Sequence, residues 1–172
     1  MAARVLVAFA SKMGSNAEIA IVIGGVLSEA GLEVDVSPAR VVRDLDGYDA
    51  VVLGSALYAA HWQRDAHRFV GRLRAALEEK PFWLWSSGPL DPILAARDLP
   101  PAANVVEVIG DLPIRAHRTF GGRLDPRQPG VDEQILRTHR TGDFRDWGAI
   151  RAYAASIAQA VVGAGADMLD PR

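Results

Sequence analysis

The chain alternates between short runs that are apolar throughout and longer stretches whose apolar residues recur every three or four positions. Val5-Leu6-Val7-Ala8-Phe9 is one such run, the pattern of a strand covered on both faces of a parallel sheet. From Ala17 onward, Ile19, Ala20, Ile23, Val26, Leu27 and Ala30 keep the spacing of one helical face, and Gly31 stands where a left-handed C-cap would end that helix. Leu32, Val34 and Val36 alternate with Glu33 and Asp35, as in a half-exposed edge strand. Residues 38–48 read as loop or short helix, after which Ala50-Val51-Val52-Leu53-Gly54 returns to the middle of the sheet. Trp62, Ala66, Phe69, Val70, Leu73, Ala76 and Leu77 predict a second amphipathic helix, with Arg64, Asp65, Arg68, Arg72, Arg74 and Glu78 on its outer face and Lys80-Pro81 as its stop. Phe82-Trp83-Leu84-Trp85 is a third buried strand, broken by the turn Ser86-Ser87-Gly88-Pro89.

Prolines at 92, 100, 101 and 113 frame short pieces between 91 and 113. Of these, Ala102 to Ile109 fits helix or strand; helix is favoured because a further short strand follows near 116–120. A polar stretch runs from Gly121-Gly122 to Gly142. Trp147, Ile150, Tyr153, Ala154, Ile157, Ala158 and Val161 then share the face of a last helix, with Asp143 or Asp146 placed to cap it. Strands alternating with helices predict an α/β domain: a doubly wound, five-stranded parallel sheet with helices on both faces, spanning residues 1–172 as a single unit. In such sheets ligands collect beyond the carboxyl ends of the central strands, where the strand order reverses. Three polar or glycine-bearing loops fall at those ends: Ser11 to Asn16, Gly54 to His61, and Ser86 to Asp91.

Composition narrows the chemistry. The 172 residues, 49% hydrophobic and 23% charged with a net charge of −2, provide no overall field to attract nucleic acid. No cysteine is present, so disulfides, thiolate metal sites and cysteine nucleophiles are excluded, and redox chemistry requires a bound cofactor. No His/Asp/Glu spacing suggests a metal site and no nucleophile, base and acid form a triad order. The first ten residues read as a strand rather than a secretory signal, and no apolar run is long enough to span a bilayer. The expectation is a cytoplasmic protein without stable membrane insertion.

The first loop, ASKMGSNAE, joins a strand to a helix, so unpaired N–H groups and the positive end of the helix dipole meet there. Gly14 lets the backbone curl, Ser11, Ser15 and Asn16 offer side-chain hydrogen bonds and Lys12 a charge, which suits a phosphate monoester. Helix capping by Ser15 or Asn16 accounts equally well for the loop taken alone. It has neither the GK[ST] ending of a triphosphate-binding loop nor the three glycines of a dinucleotide fingerprint. The second loop, GSALYAAHW, sets small residues around two large rings. Tyr58 is placed to stack on a flat ligand, Trp62 reads first as core of the following helix, and His61 as a solvated or capping residue. The turn Ser86-Ser87-Gly88-Pro89-Leu90 offers hydroxyls and N–H groups to a polar ring edge. Arg115, His117 and Arg118 read as surface charges.

The order of elements and these three loops resemble the flavodoxin-like fold. More narrowly, ASKMGSNAEIA, VLGSALYAAHW, SSGPL, FGGRLD at 120–125 and GDFRDW at 142–147 resemble the flavodoxin-domain branch of the menaquinone-dependent protoporphyrinogen dehydrogenases. The resemblance implies the strand order 2-1-3-4-5 and an FMN held at the strand ends. Ser11, Lys12, Met13, Gly14, Ser15 and Asn16 would surround its phosphate. Ala56, Leu57, Tyr58 and Ala59 would lie along the isoalloxazine, and Ser87, Gly88 and Pro89 would border the other edge. Met13 and Asn16 stand where flavodoxins usually carry threonine, which implies a weaker hold on FMN or a preference for a phosphate-bearing deazaflavin analogue. Near-neutral charge and Arg-rich helices depart from acidic electron shuttles. Residues 125–142, DPRQPGVDEQILRTHRTG, have the length of the branch's insert but not the apolar content associated with porphyrin and membrane. The expected function is that of an FMN-dependent oxidoreductase or electron-transfer protein. Its expected partner is a redox protein or a small-molecule acceptor such as a quinone, with homo-oligomerisation open. The alternatives are a protoporphyrinogen dehydrogenase, and a module that binds a deazaflavin or a protein without turnover.

Overall fold

The computed structural model describes residues 1–167; the last five positions of the expected 1–172 unit lie outside the described residues. The elements are β1 (Arg4–Ala10), α1 (Ser15–Glu29), β2 (Glu33–Pro38), β3 (Ala50–Tyr58), β4 (His61–Trp62), α2 (Arg64–Glu78), β5 (Phe82–Ser87), α3 (Pro92–Ala95), α4 (Ala103–Ile109), β6 (Ile114–Phe120), β7 (Arg123–Leu124), α5 (Glu133–Thr138), β8 (Gly142–Asp143) and α6 (Trp147–Asp167). Five strands pair in parallel in the order β2-β1-β3-β5-β6, which is 2-1-3-4-5 when only the parallel strands are numbered.

The doubly apolar runs are explained by two cores. In β1, Val5 and Val7 face a layer with Ile19, Ile23 and Leu27 of α1 and Ile150, Ala154 and Ile157 of α6. Leu6 and Ala8 face the opposite layer, with Phe69, Val70 and Leu77 of α2 and Val105 of α4. Each strand side is thus removed from water, and every fully buried Val or Leu contributes about 1.5–3 kcal/mol by its burial. β2 lies at the edge, as its alternation predicts. Gly31 takes φ 88° just beyond α1, and its N–H donates to the Ser28 carbonyl at 3.0 Å, closing that helix. Asp146 rather than Asp143 caps α6: its Oδ1 accepts from the Ala149 N–H at 2.9 Å.

Two local departures from the sequence pattern lie near the site. Trp62 is buried core, but it belongs to β4 instead of the helix, since β4 folds back antiparallel on the end of β3 through the pairs Leu57↔Trp62 and Tyr58↔His61. The polar stretch after Gly122 contains its own ordered pieces, β7, α5 and β8, with β7 and β8 pairing antiparallel. No described helix is long and apolar enough to cross a membrane.

The switch in strand order occurs at β1, which pairs with β2 on one side and β3 on the other. The loops leaving β1, β3 and β5 therefore lie side by side at one end of the sheet.

Candidate functional site

Between these loops lies a cavity of about 570 Å³ lined by Met13 and Ser15 of the first loop, Ala56 to Ala60 of the second, and Ser87 to Leu90 of the third. Gly122, Arg123, Leu124, Ile135 and His139 close its remaining side. Of the residues expected at a flavin, Met13, Ser15, Ala56, Leu57, Tyr58, Ala59, Ser87, Gly88 and Pro89 are brought together. Ser11, Lys12 and Gly14 sit on the same loop but off the cavity wall.

Gly14 occupies the N-cap of α1 with φ 81°, and no side chain caps the first turn. The capping alternative for Ser15 and Asn16 is thereby set aside, and the first-turn N–H groups keep their capacity to meet an anion. Asn16 needs a correction at its side chain. It is fully buried, and its Oδ1 accepts from the Trp85 indole at 2.8 Å. A carboxamide can satisfy an indole donor in the core, so its side-chain oxygen is used inward, and its Nδ2 has no partner among the described residues.

The second loop is a two-residue hairpin turn in which Ala59 and Ala60 both take positive φ, 48° and 62°. This is the backbone that matches strand twist and that Asn-Gly adopts most readily. Each alanine in this region costs on the order of 1 kcal/mol. The turn holds Tyr58 at the cavity mouth, half exposed, while Trp62 is pulled inward by a 2.8 Å bond from its Nε1 to Ser86 Oγ. Replacing Ala59-Ala60 by Asn-Gly is expected to raise stability by about 1 kcal/mol in urea unfolding; an unchanged or lower midpoint would mean that the turn is not strained.

The third loop supplies shape, where hydroxyl donors were expected. Ser86 Oγ is engaged with Trp62 and with His117 Nε2 at 2.9 Å, Ser87 Oγ donates to the Gly121 carbonyl at 2.9 Å, and the Gly88 N–H donates to the Phe120 carbonyl at 3.2 Å. The cause is close approach on several sides: a Cβ on Gly88 would lie 2.7 Å from that of Leu57 on β3, one on Gly122, just past β6, 3.1 Å from the Gly88 carbonyl oxygen, and one on Gly121 1.9 Å from the Phe144 carbonyl oxygen. Only glycine lets these backbones meet.

The fourth wall carries residues whose role the sequence does not announce. Gln128 donates from Nε2 to the Met13 carbonyl. Arg145, its side chain 2% exposed, donates to the Ser15 carbonyl at 3.1 Å, to Glu18 at 2.6 Å and through a two-pronged contact to Asp143 at 2.8 and 2.7 Å. Its guanidinium also stacks 4.5 Å from the Trp147 ring centre. Arg123 reaches the other side of Glu18 at 3.0 Å. The segment 121–147 therefore grips the carbonyl side of the first loop.

The flavodoxin domain family matches residues 6–136, well over half of the chain. The chain belongs to the flavodoxin domain family. A flavodoxin from the domain Archaea is 16% identical, with TM-score 0.61, over 92% of this chain and 98% of that one. Oxidised flavodoxin 2 from Bacillus cereus is 20% identical, with TM-score 0.57, over 94% and 99%. Rubredoxin oxygen:oxidoreductase from Desulfovibrio gigas is 12% identical, with TM-score 0.64, over 93% of this chain but 36% of the larger one. The comparison with curated proteins finds no match.

In this flavodoxin domain His117 is not a surface charge. Its Nε2 faces the Ser86 hydroxyl, its Nδ1 is buried without a partner among the described residues, and burial holds its pKa down to about 4 against the nearby pull of Asp98. An indole can only donate, so Ser86 Oγ accepts from Trp62 and directs its own proton to Nε2 of a neutral imidazole. Between pH 6.5 and about 4 the unfolded chain takes up a proton that the folded domain refuses. Stability is therefore complete above the unfolded value and falls as pH drops through this window, by about 3 kcal/mol. Urea unfolding of wild type and His117→Phe at pH 7 and pH 4.5 should show a smaller pH loss in the variant; equal losses would contradict the assignment.

The missed wall had a partial signal. FGGRLD and GDFRDW stood out as motifs, but nothing in their spacing tells that Arg123 and Arg145 converge on Glu18, more than 100 residues away.

Proposed function

We propose that this domain binds FMN in the cavity at the ends of β1, β3 and β5 and works as an electron-transfer protein or FMN-dependent oxidoreductase. The observation that carries this is the conjunction of an uncapped α1 N-terminus with a cavity of about 570 Å³ walled by Ala56, Gly88 and other small residues. That size lies within the roughly 300–1,000 Å³ of small-molecule sites. The residues fit such a group: first-turn N–H groups for the phosphate, Leu57 and Pro89 as apolar walls for the ring, and Tyr58 as a stacking partner at the mouth. When bound, the flavin supplies the electron chemistry. This chain's own part is to orient the ring, exclude water from its inner edge and hold the phosphate. No side chain of the chain is required to form a covalent bond.

The unit spans the whole chain in this reading and acts in the cytoplasm. Its partner is a redox protein or a small acceptor such as a quinone, reaching the ring beside Tyr58, with Ile93 and Leu94 exposed on the adjoining α3. The relation to the menaquinone-dependent protoporphyrinogen dehydrogenases is a second proposal, favoured by α5, which brings Ile135 and His139 of the 125–142 insert to the cavity. An anaerobic assay with protoporphyrinogen and a menaquinone analogue tests it; an inactive flavin-loaded protein would remove it.

The test of the first proposal is the visible spectrum of the purified protein, together with a fluorescence titration of the apoprotein with FMN. Binding at micromolar concentration or tighter is expected. Absence of flavin bands and of any binding in that range would refute it. Preferential binding of a deazaflavin phosphate would keep the site and change the ligand.

A further inference from the structure

Among the described residues lining the cavity, Arg123 is the one permanent cation. Its present partner is Glu18, which Nη1 reaches at 3.0 and 3.2 Å. This pair is partly open to water. The Glu18 side chain is 45% exposed and that of Arg123 27%, and the Arg123 Nε is buried without a hydrogen-bond partner among the described residues. A guanidinium presents its Nε and Nη2 hydrogens as a fork for two oxygens, and Nε on that edge is unsatisfied.

Glu18, in contrast, does not depend on Arg123. Its Oε2 accepts from Arg145 Nη1 at 2.6 Å, the shorter contact to the more deeply buried partner. If Arg123 turns away, the Glu18 carboxylate stays paired. Arg145 also bonds the Ser15 carbonyl, so Glu18 and the first turn of α1 remain fixed while Arg123 moves. Arg123 bonds Glu18 in the first turn of α1 and lines the same cavity as Met13 and Ser15, which puts this cation at the end where the helix N-terminus meets the ligand.

We propose that Arg123 is the specificity-determining residue of this site: it exchanges Glu18 for the ligand's phosphate and so selects phosphorylated flavin over the free ribityl alcohol. The inference rests on the FMN reading above and adds the group that recognises the phosphate's charge. A phosphate monoester carries −1.5 to −2 near pH 7, and neutral N–H groups alone leave most of that charge uncompensated. The exchange replaces one carboxylate by a group of higher charge with three acceptor oxygens, and it satisfies the orphaned edge of the guanidinium. Lys12 is exposed and off the cavity wall, so it adds only a screened, long-range attraction. The loop's missing hydroxyls at Met13 and Asn16 are offset by charge.

The experiment is a parallel fluorescence titration of apoprotein with FMN and with riboflavin, for wild type, Arg123→Gln, Arg123→Lys and Glu18→Gln. Thermal melts run alongside report folding. Loss of a charge-assisted contact is expected to weaken FMN about 10- to 100-fold in Arg123→Gln while riboflavin changes by less than about 3-fold. Arg123→Lys, a point charge without the fork, should recover part of the FMN affinity. Glu18→Gln removes the internal competitor and should tighten FMN several-fold without affecting riboflavin. An FMN-to-riboflavin ratio unchanged in Arg123→Gln overturns the proposal, as does a Glu18→Gln variant that weakens both ligands alike. Wild-type protein that binds neither flavin overturns the flavin reading and this inference with it.

Discussion

Replacing Arg145 by methionine is expected to destabilise the domain by about 3 kcal/mol and to loosen the wall formed by residues 121–147. Arg145 is almost wholly buried, yet its carboxylate partners Glu18 and Asp143 are 45% and 42% exposed. Breaking a buried ion pair costs about 3–5 kcal/mol when the remaining charge is stranded. Here both carboxylates regain water, and Glu18 retains Arg123, so the lower figure applies. Methionine keeps much of the apolar stem but gives up the bonds to Ser15, Glu18 and Asp143 and the stacking on Trp147. The Arg145 hydrogen bonds hold the Asp143 carboxyl below the usual carboxylate range; in the variant it should return toward an ordinary value, measurable by carboxyl chemical shifts against pH. A loss under 1 kcal/mol in urea unfolding, with an unchanged Asp143 titration, would contradict the role given to this contact.

Gly54→Ala is expected to be as severe. Gly54 lies in β3, directly beside Trp85 of β5 in the parallel register. A Cβ there would fall 1.7 Å from Trp85 Cε2 and 2.0 Å from Cδ2, inside the indole. The ring cannot step aside, because it is fully buried and its Nε1 is tied to Asn16. Overpacking typically costs about 1–3 kcal/mol, and a single methyl group placed on a pinned ring belongs at the upper end, about 3 kcal/mol. The cost should also be non-additive with Trp85→Leu, since the smaller side chain removes the clash. Simple additivity in that double-mutant cycle would show that the Trp85 ring is not what the added methyl group meets.

The sheet was legible because strands buried on both faces cannot hide their composition. Val5 to Phe9, Ala50 to Gly54 and Phe82 to Trp85 are apolar without alternation, and their short length and flanking turn residues mark them as central strands of a parallel sheet. Residues whose role depends on partners far along the chain were not legible. Asn16 looks like a loop residue until Trp85 is seen to need an acceptor. His117 looks like one more charge in IRAHRTF until its place beside Ser86 is known. The hairpin at Ala59-Ala60 was hidden for another reason: alanine carries no turn signal, and the two positive φ angles follow from the pairing of Leu57 with Trp62. Residues 125–142 read as a polar stretch because α5 turns only one face, with Ile135, toward the cavity.

The central claim is that the three strand-end loops form one ligand site for FMN. A ¹H–¹⁵N spectrum of the labelled apoprotein, followed during FMN titration, tests it most directly. Amide shifts are expected to concentrate in residues 11–17, 56–60, 87–90 and 121–124, with little change at the opposite end of the sheet around Lys80 and Arg115. Shifts confined to the groove between α1 and α6, around Val26 and Val162, or no shifts at high FMN, would contradict it.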